Sequence, residues 1–383
     1  MKKEEKMIYK EFKDKKLSAL GFGAMRLPII NGNYSRIDEK KTLEMIDYAI
    51  SKGINYFDTA WGYHDGNSEI IMGKILSQYP RERYYLATKF PGYDLSNMTK
   101  VEEIFETQLK KCNVEYFDFY LFHNVCEMNI DAYLDEKYGV FKYLMKQKNE
   151  GRIHHLGFST HGSYSTVKRF LESYGDSMEF AQIQLNYFDW FFQDAKSKVE
   201  LFKEYSIPIW VMEPLRGGEL VSLSKDHTEK LKKLRPNESV VAWAFRFLQS
   251  IPEVNMVLSG MSNLQQLEEN IKIFEKNRPL NEEELATLLN ISKEIIGING
   301  VPCTKCRYCI EQCPQELDIP YLIELYNEYS FTKDGFDTPT ALMALPPEKR
   351  PSACISCKSC ESVCPQQINI SEILANFSKK VGG

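Results

Sequence analysis

The 383-residue sequence predicts an α/β fold, a (β/α)8 barrel, followed by a small, mainly helical domain. Three observations carry that prediction. Short β-rich runs alternate with longer amphipathic segments through the first three quarters of the chain. Polar or small residues end one β-rich run after another. Eight of the ten cysteines lie beyond residue 300.

The expected strands are residues 18–25, 54–59, 84–90, 116–124, 154–160, 180–187, 207–213 and 254–260. Helical segments lie between most of them. Residues 38–53 repeat apolar side chains at Leu43, Ile46, Ala49 and Ile50, a helical period. That segment opens on Asp38 and closes on Gly53, which suit the two helix ends. Residues 101–113 and 240–250 read the same way. Strands alternating with helices imply parallel neighbours joined by right-handed crossovers. Eight such units can close into a barrel of about 250 residues. A doubly wound open sheet is the competing arrangement. It would favour a glycine-rich phosphate loop after the first strand, and "GFGAMR" at 21–26 lacks the third glycine. That stretch reads as a tight turn. The strand ends favour the barrel, because Asp58, Lys89, His123, Ser159, Gln184, Glu213 and Gly260 would converge on one face. Residues 270–300 read as a last barrel helix, a turn at Pro279 and a linking helix. The expected domains are 1–300 and 301–383.

Hydrophobic content of 43% and charged content of 26% are those of an ordinary globular protein. A net charge of −5 gives no electrostatic reason to expect nucleic acid or an anionic membrane as partner. The N-terminal "MKKEEKMIYKEFKDKK" lacks the apolar core of a signal peptide, and no run of about 18 apolar residues suggests a membrane span. The expected location is the cytoplasm. A disulfide framework belongs to small secreted domains, so metal binding is the better use of the clustered cysteines. Cys112 and Cys126, outside the cluster, read as buried structural thiols.

Cys303, Cys306, Cys309 and Cys313 are spaced C-x2-C-x2-C-x3-C and followed by proline. Cys354, Cys357, Cys360 and Cys364 repeat that spacing at an offset of 51. This pattern suits two [4Fe–4S] clusters, with the fourth cysteine of each run ligating the other cluster. One cluster would take Cys303, Cys306, Cys309 and Cys364, the other Cys354, Cys357, Cys360 and Cys313. Zinc is the alternative, since two-spaced cysteine pairs also serve zinc. Residues 318–331 between the runs have helical spacing. Pro346, Pro347 and Pro351 then interrupt regular structure. The region resembles the helical ferredoxin modules of larger redox enzymes. Crossed ligands would set the clusters close together, as electron transfer to a ferredoxin or another redox protein requires. A purely structural role in a small domain is the alternative.

Asp-Thr-Ala-x-x-Tyr at 58–63 follows the second strand, and "LATKF" (86–90) and "FYLFHN" (119–124) follow in order. These residues resemble the aldo-keto reductase signature over about residues 8–300. The resemblance implies a catalytic tetrad of Asp58, Tyr63, Lys89 and His123 acting on a small-molecule carbonyl or alcohol. The chemistry can be argued separately. Carbonyl reduction needs a hydride at carbon and a proton at oxygen. Tyr63 suits the proton's donor if its pKa falls from about 10, and a neighbouring Lys89 would lower it. Asp58 would keep Lys89 charged and oriented. His123 could donate a hydrogen bond to the carbonyl oxygen.

By the same resemblance Ser159 and Gln184 hold the carboxamide of a nicotinamide. Met212 stands where the family has a ring-stacking tyrosine. Leu215, Arg216, Gly217 and Gly218 would cradle the pyrophosphate. Glu269 and Asn270 match the adenosine segment. Gly260 and Gln266 stand where a lysine and an arginine often grip the 2′-phosphate, which weakens the case for NADPH and leaves NADH open. Hydride transfer moves two electrons and a cluster passes one, so a flavin is a candidate bridge. A different class remains as well, an electron-transfer or sensor subunit using the barrel as a cofactor-binding platform.

Overall fold

Eight strands close into one parallel barrel, and their order around it is their order in the chain. They are β1 Leu20–Gly23, β2 Tyr56–Asp58, β3 Tyr85–Phe90, β4 Phe117–Val125, β5 Ile153–Thr160, β6 Ala181–Gln184, β7 Ile209–Met212 and β8 Val254–Gly260. Six lie within the expected runs; β4 extends one residue past its run to Val125, and β5 begins one residue before its run at Ile153. β8 returns to β1 with Gly260 opposite Gly23, so the barrel itself has no open strand edge and the open sheet is excluded. A helix follows each strand: α1 Glu39–Ser51, α2 Asn67–Leu76, α3 Val101–Cys112, α4 Val140–Asn149, α5 Tyr164–Tyr174, α6 Ala195–Glu204, α7 Val240–Gln249 and α8 Leu264–Phe274. The computed structural model describes residues 7–301, 303, 307–332, 337–364 and 366–382.

Helix α1 shows how the sequence sets its own limits. Asp38 accepts a hydrogen bond from the Lys41 amide at the N-terminus, and Gly53 takes a φ of +94° just past the end. Met45, Ile46, Ala49 and Ile50 are buried, while Leu43 is only half-buried at the edge of the stripe.

The barrel floor is solid. A hairpin of Tyr9–Phe12 and Lys15–Ser18 pushes Phe12 and Leu17 against Tyr56, Phe119, Phe180, Trp210, Met256 and Leu258. Phe12 meets Trp210 edge-on with ring centroids 5.0 Å apart. A filled floor leaves the C-terminal strand ends as the place for a site. Gly21 belongs to this packing, since a Cβ there would lie 2.6 Å from the Leu258 side chain. The Gly-x-Gly pair therefore sits within β1, and the turn follows it at Ala24–Arg26.

The chain separates into two compact units, Met1–Asn290 and Ile291–Gly383. The division falls inside the helix Glu282–Asn299, which an expected border at 300/301 assigns wholly to the barrel. The second unit is mainly helical and internally repeated. Tyr308–Glu311 and Ser359–Ser362 are equivalent short helices, and Ile319–Thr332 and Ile370–Lys380 equivalent long ones. The repeat runs well beyond the cysteines. Arg307 and Lys358 both take left-handed φ values, 69° and 64°, as do Glu316 and Gln367 at 50° and 51°. Leu317, Ile319 and Ile323 share one core with their counterparts Ile368, Ile370 and Leu374. Among the described residues, no helix is long and apolar enough to cross a membrane.

Candidate active site and metal centre

Adjacent strands bring the four predicted catalytic side chains together. Asp58 ends β2, Lys89 lies near the end of β3, and His123 lies near the end of β4. Tyr63 opens the turn Tyr63–Gly66 beyond β2. Lys89 Nζ donates to Asp58 Oδ1 at 2.6 Å and to the Thr59 carbonyl at 2.8 Å. The side chains of this pair are 0% and 4% exposed. Burial pulls the Lys89 ammonium below its ordinary range and pushes the Asp58 carboxyl above its own, while their mutual attraction opposes both changes. The ammonium lies 5.0 Å over the Tyr63 ring. His123 meets Tyr63 edge-on, with centroids 6.1 Å apart.

The expectation that Lys89 lowers the Tyr63 pKa is not met. Burial pushes the phenol well above 10, and the charges of Asp58, Tyr34 and Glu213 add to that. The Lys89 charge is answered by Asp58 and faces the ring, so it does not offset burial. Tyr63 therefore stands fully protonated. Burial, with Lys89 and His161 adding, holds His123 well below 6.5, so the ring is neutral. Its Nδ1 has no hydrogen-bond partner among the described residues.

Several supporting residues escaped the sequence analysis. Tyr93 meets the His123 ring edge-on at 5.2 Å, and a Cβ at Gly62 would lie 2.5 Å from its hydroxyl. Behind Lys89, Gln108 donates through Nε2 to the Lys89 carbonyl at 2.9 Å and to Glu69 Oε1 at 2.7 Å. Thr88 donates to the same Glu69 oxygen at 2.7 Å, and Tyr120 donates to Gln108 Oε1 at 2.6 Å. Burial raises the Glu69 carboxyl pKa. Glu69 lies on the buried side of α2 beside Ser68, Met72 and Gly73.

The positions matched to a nicotinamide carboxamide carry complementary polarity. Ser159 Oγ accepts from the Asn124 amide at 2.9 Å, leaving its hydroxyl proton to donate. Gln184 Nε2 donates to Asp189 at 2.9 Å, and its Oε1 is buried without a partner among the described residues. A hydroxyl donor and an unused carbonyl at the ends of neighbouring strands fit a primary carboxamide. Met212 ends β7 opposite Gln184. Beyond half-buried Leu215, Gly217 and Gly218 take φ values of 65° and 107°, which favour glycine. Arg216 turns inward. It is ion-paired with Asp189, bonds Glu219 at 3.1 Å and lies against the Phe188 and Phe192 rings. Gly260 lies against the Arg26 side chain, which a Cβ would meet at 3.2 Å. Gln266 accepts from the Ser262 amide at 2.8 Å, Glu269 is exposed, and Asn270 donates to Ser259 Oγ at 3.1 Å.

In the second unit, one cavity is lined by Cys303, Cys309 and Cys364, and another by Cys313, Cys354, Cys357 and Cys360. The fourth cysteine of each run thus lines the other run's cavity. Cys306 lies outside the described residues. Apart from Cys306, each cavity gathers the cysteines that the crossed-ligand pattern of two clusters assigns to it. Apolar side chains fill out the walls, Ile323, Ile368 and Ile370 in one and Leu317, Ile319 and Leu374 in the other.

Comparison with known proteins agrees with this geometry. The aldo/keto reductase family matches residues 19–293, and a 4Fe-4S dicluster domain matches residues 302–369. Probable aldo-keto reductase 1 of Glycine max is 32% identical over 211 residues, 53% of this chain and 57% of that protein, so the chain spans little more than half of that relative. The uncharacterized oxidoreductase YqkF of Bacillus subtilis (strain 168) is 26% identical over 313 residues, 74% of this chain and 95% of YqkF. The holo form of aldo-keto reductase AKR11C1 from Bacillus halodurans superposes with a TM-score of 0.62 at 24% identity, covering 74% of this chain and 96% of that one. Fold and family together define an oxidoreductase built on a (β/α)8 barrel. The chain belongs to the aldo/keto reductase family, and it carries a C-terminal 4Fe-4S domain.

Proposed function

We propose that the enzyme reduces a small-molecule carbonyl, or oxidises the matching alcohol, with a nicotinamide dinucleotide. The observation that carries this reading is the buried Lys89–Asp58 pair under Tyr63, beside a neutral His123. Bound nicotinamide supplies or accepts the hydride. Ser159 donates to its carboxamide oxygen, and Gln184 Oε1 accepts from its amino group. Tyr63 holds a proton on its hydroxyl and gives it to the substrate oxygen. His123 orients that oxygen through a ring N–H. Asp58 anchors Lys89 so that the ammonium keeps its place over the Tyr63 ring.

The nucleotide is NADH or NADPH: Gly260 and Gln266 themselves offer no cation for a 2′-phosphate, while the Arg26 side chain lies against Gly260. A relative 24% identical over 232 residues is an NADH-specific methylglyoxal reductase of Escherichia coli (strain K12). Two [4Fe–4S] clusters occupy the second unit, one on Cys303, Cys306, Cys309 and Cys364, the other on Cys354, Cys357, Cys360 and Cys313. They exchange electrons with a ferredoxin or a similar redox protein.

Tyr63→Phe tests the central claim. Carbonyl reduction should fall about 10²- to 10⁴-fold. Cluster content and NADH binding should not change. Full activity in Tyr63→Phe would remove Tyr63 from the chemistry. No reduction of any aldehyde by the native protein, with fast cluster oxidation by a ferredoxin, would make the protein an electron carrier.

A further inference from the structure

We infer that the buried Asp189–Arg216 ion pair fixes the polarity of Gln184, so that the site demands a ligand offering an N–H at that point. This rests on the nicotinamide reading and specifies what sets its selectivity. Gln184 carries a donor at one end of its amide and an acceptor at the other, and a half-turn exchanges them. Asp189 prevents the exchange. Its Oδ2 accepts from Gln184 Nε2 at 2.9 Å and from Asn186 Nδ2 at 2.6 Å. A carboxylate only accepts, so turning Gln184 around would set oxygen against oxygen. The Gln184 carbonyl must therefore face away from Asp189, where it has no partner among the described residues.

The lock depends on Asp189 being charged, and burial opposes that charge. Its side chain is 0% exposed, and the paired Arg216 side chain is 1% exposed. A carboxylate buried so fully needs a cation beside it. Arg216 is held by Glu219 at 3.1 Å and by the Phe188 and Phe192 rings at 4.9 and 5.1 Å. Asn186 braces the other side, accepting from the Asp189 amide at 2.8 Å and donating to the Glu213 carbonyl at 3.1 Å. The two charges lie 27 residues apart and join the segment after β6 to the segment after β7. Asp189 and Arg216 are thus positioning residues, acting through Gln184.

The test uses the holoprotein and two dinucleotides, reduced NAD and the reduced acid analogue in which a carboxylate oxygen replaces the carboxamide NH₂. The native protein should bind NADH more tightly by about tenfold or more, since the analogue sets an oxygen against the buried Gln184 carbonyl. In Asp189→Asn the Gln184 amide is free to turn its NH₂ toward the analogue, and the ratio of the two dissociation constants should fall to within about twofold of unity. If Asp189→Asn does not fold with Arg216 unpaired, D189N/R216Q removes both charges and should show the same loss of discrimination. An undiminished ratio in whichever variant folds overturns the lock. Equal binding of both dinucleotides by the native protein overturns it too. Failure of the native protein to bind either one overturns the nicotinamide reading itself, a separate result.

Discussion

The barrel and the dicluster unit hold their functional side chains in opposite ways. In the barrel, protein groups position them before any ligand arrives: Lys89 on Asp58, Ser159 under the Asn124 amide, Gln184 on Asp189. The floor beneath is a packed layer of aromatic and aliphatic side chains. In the second unit the cysteines face cavities, and two of them, Cys309 and Cys360, belong to its small core. A site built on protein contacts survives loss of its ligand. A core that includes metal ligands does not, because binding energy and folding energy are then the same quantity.

Stripping the clusters is the most severe test of that contrast. All four tryptophans lie in the barrel unit, so their fluorescence reports on the barrel alone. Anaerobic chelation should abolish the cluster absorbance and the helical circular dichroism contributed by Ile319–Thr332 and Ile370–Lys380. The tryptophan unfolding transition and NADH binding should remain. A tryptophan transition that collapses along with the clusters would break the comparison.

Within the barrel, the next largest effect concerns the buried pair. Lys89→Met leaves Asp58 charged and alone in a site with almost no solvent contact. The expected cost is about 3–5 kcal/mol in denaturant unfolding. The double variant D58N/K89M should recover much of it. A cost for Lys89→Met below about 1 kcal/mol would rank the pair with exposed salt bridges and deny that the site is pre-built.

The sequence exposed some of this arrangement and concealed the rest, for physical reasons. Strand positions were legible because each run from 54–59 to 254–260 is short, β-rich and followed by a helical period. The grouping of Asp58, Lys89 and His123 was legible because each lies at or near the end of a strand, and strand ends converge in a barrel. Glu69, Gln108 and Tyr120 were concealed because they meet behind the site from two helices and a strand. The inward turn of the Arg216 side chain was concealed because its partner Asp189 is distant in sequence. The 51-residue repeat was read in cysteines alone. Leu317 with Ile368 and Ile323 with Leu374 pair by burial, a property that residue identity shows weakly.

The smallest effect sharpens the comparison through pH. All six histidines lie in the barrel unit. His64 is buried with both ring nitrogens engaged, Nε2 accepting from the Leu27 amide at 3.2 Å and Nδ1 donating to the Tyr34 carbonyl at 2.7 Å. That arrangement requires a neutral ring, and burial lowers its pKa below 6.5. Protonation would take away the acceptor that Leu27 needs. The unfolded chain binds this proton near pH 6.5 and the native barrel does not, so stability is full above that pH and falls below it. The slope for His64 is at most about 1.4 kcal/mol per pH unit. Glu179 adds a second limb at lower pH. Burial works against its carboxylate, but hydrogen bonds from His155, Lys13 and Lys148 outweigh that and pull it down to about 2. Its contribution is present above about pH 4.5 and is lost as the pH falls toward 2. Tryptophan-detected unfolding at pH 8, 6 and 5 should therefore show the barrel weakening below 6.5. His64→Gln, which can still accept from Leu27 without titrating, should flatten the first part of that decline. An unchanged slope in His64→Gln would mean that the ring does not hold the turn at Tyr63 against the loop after β1.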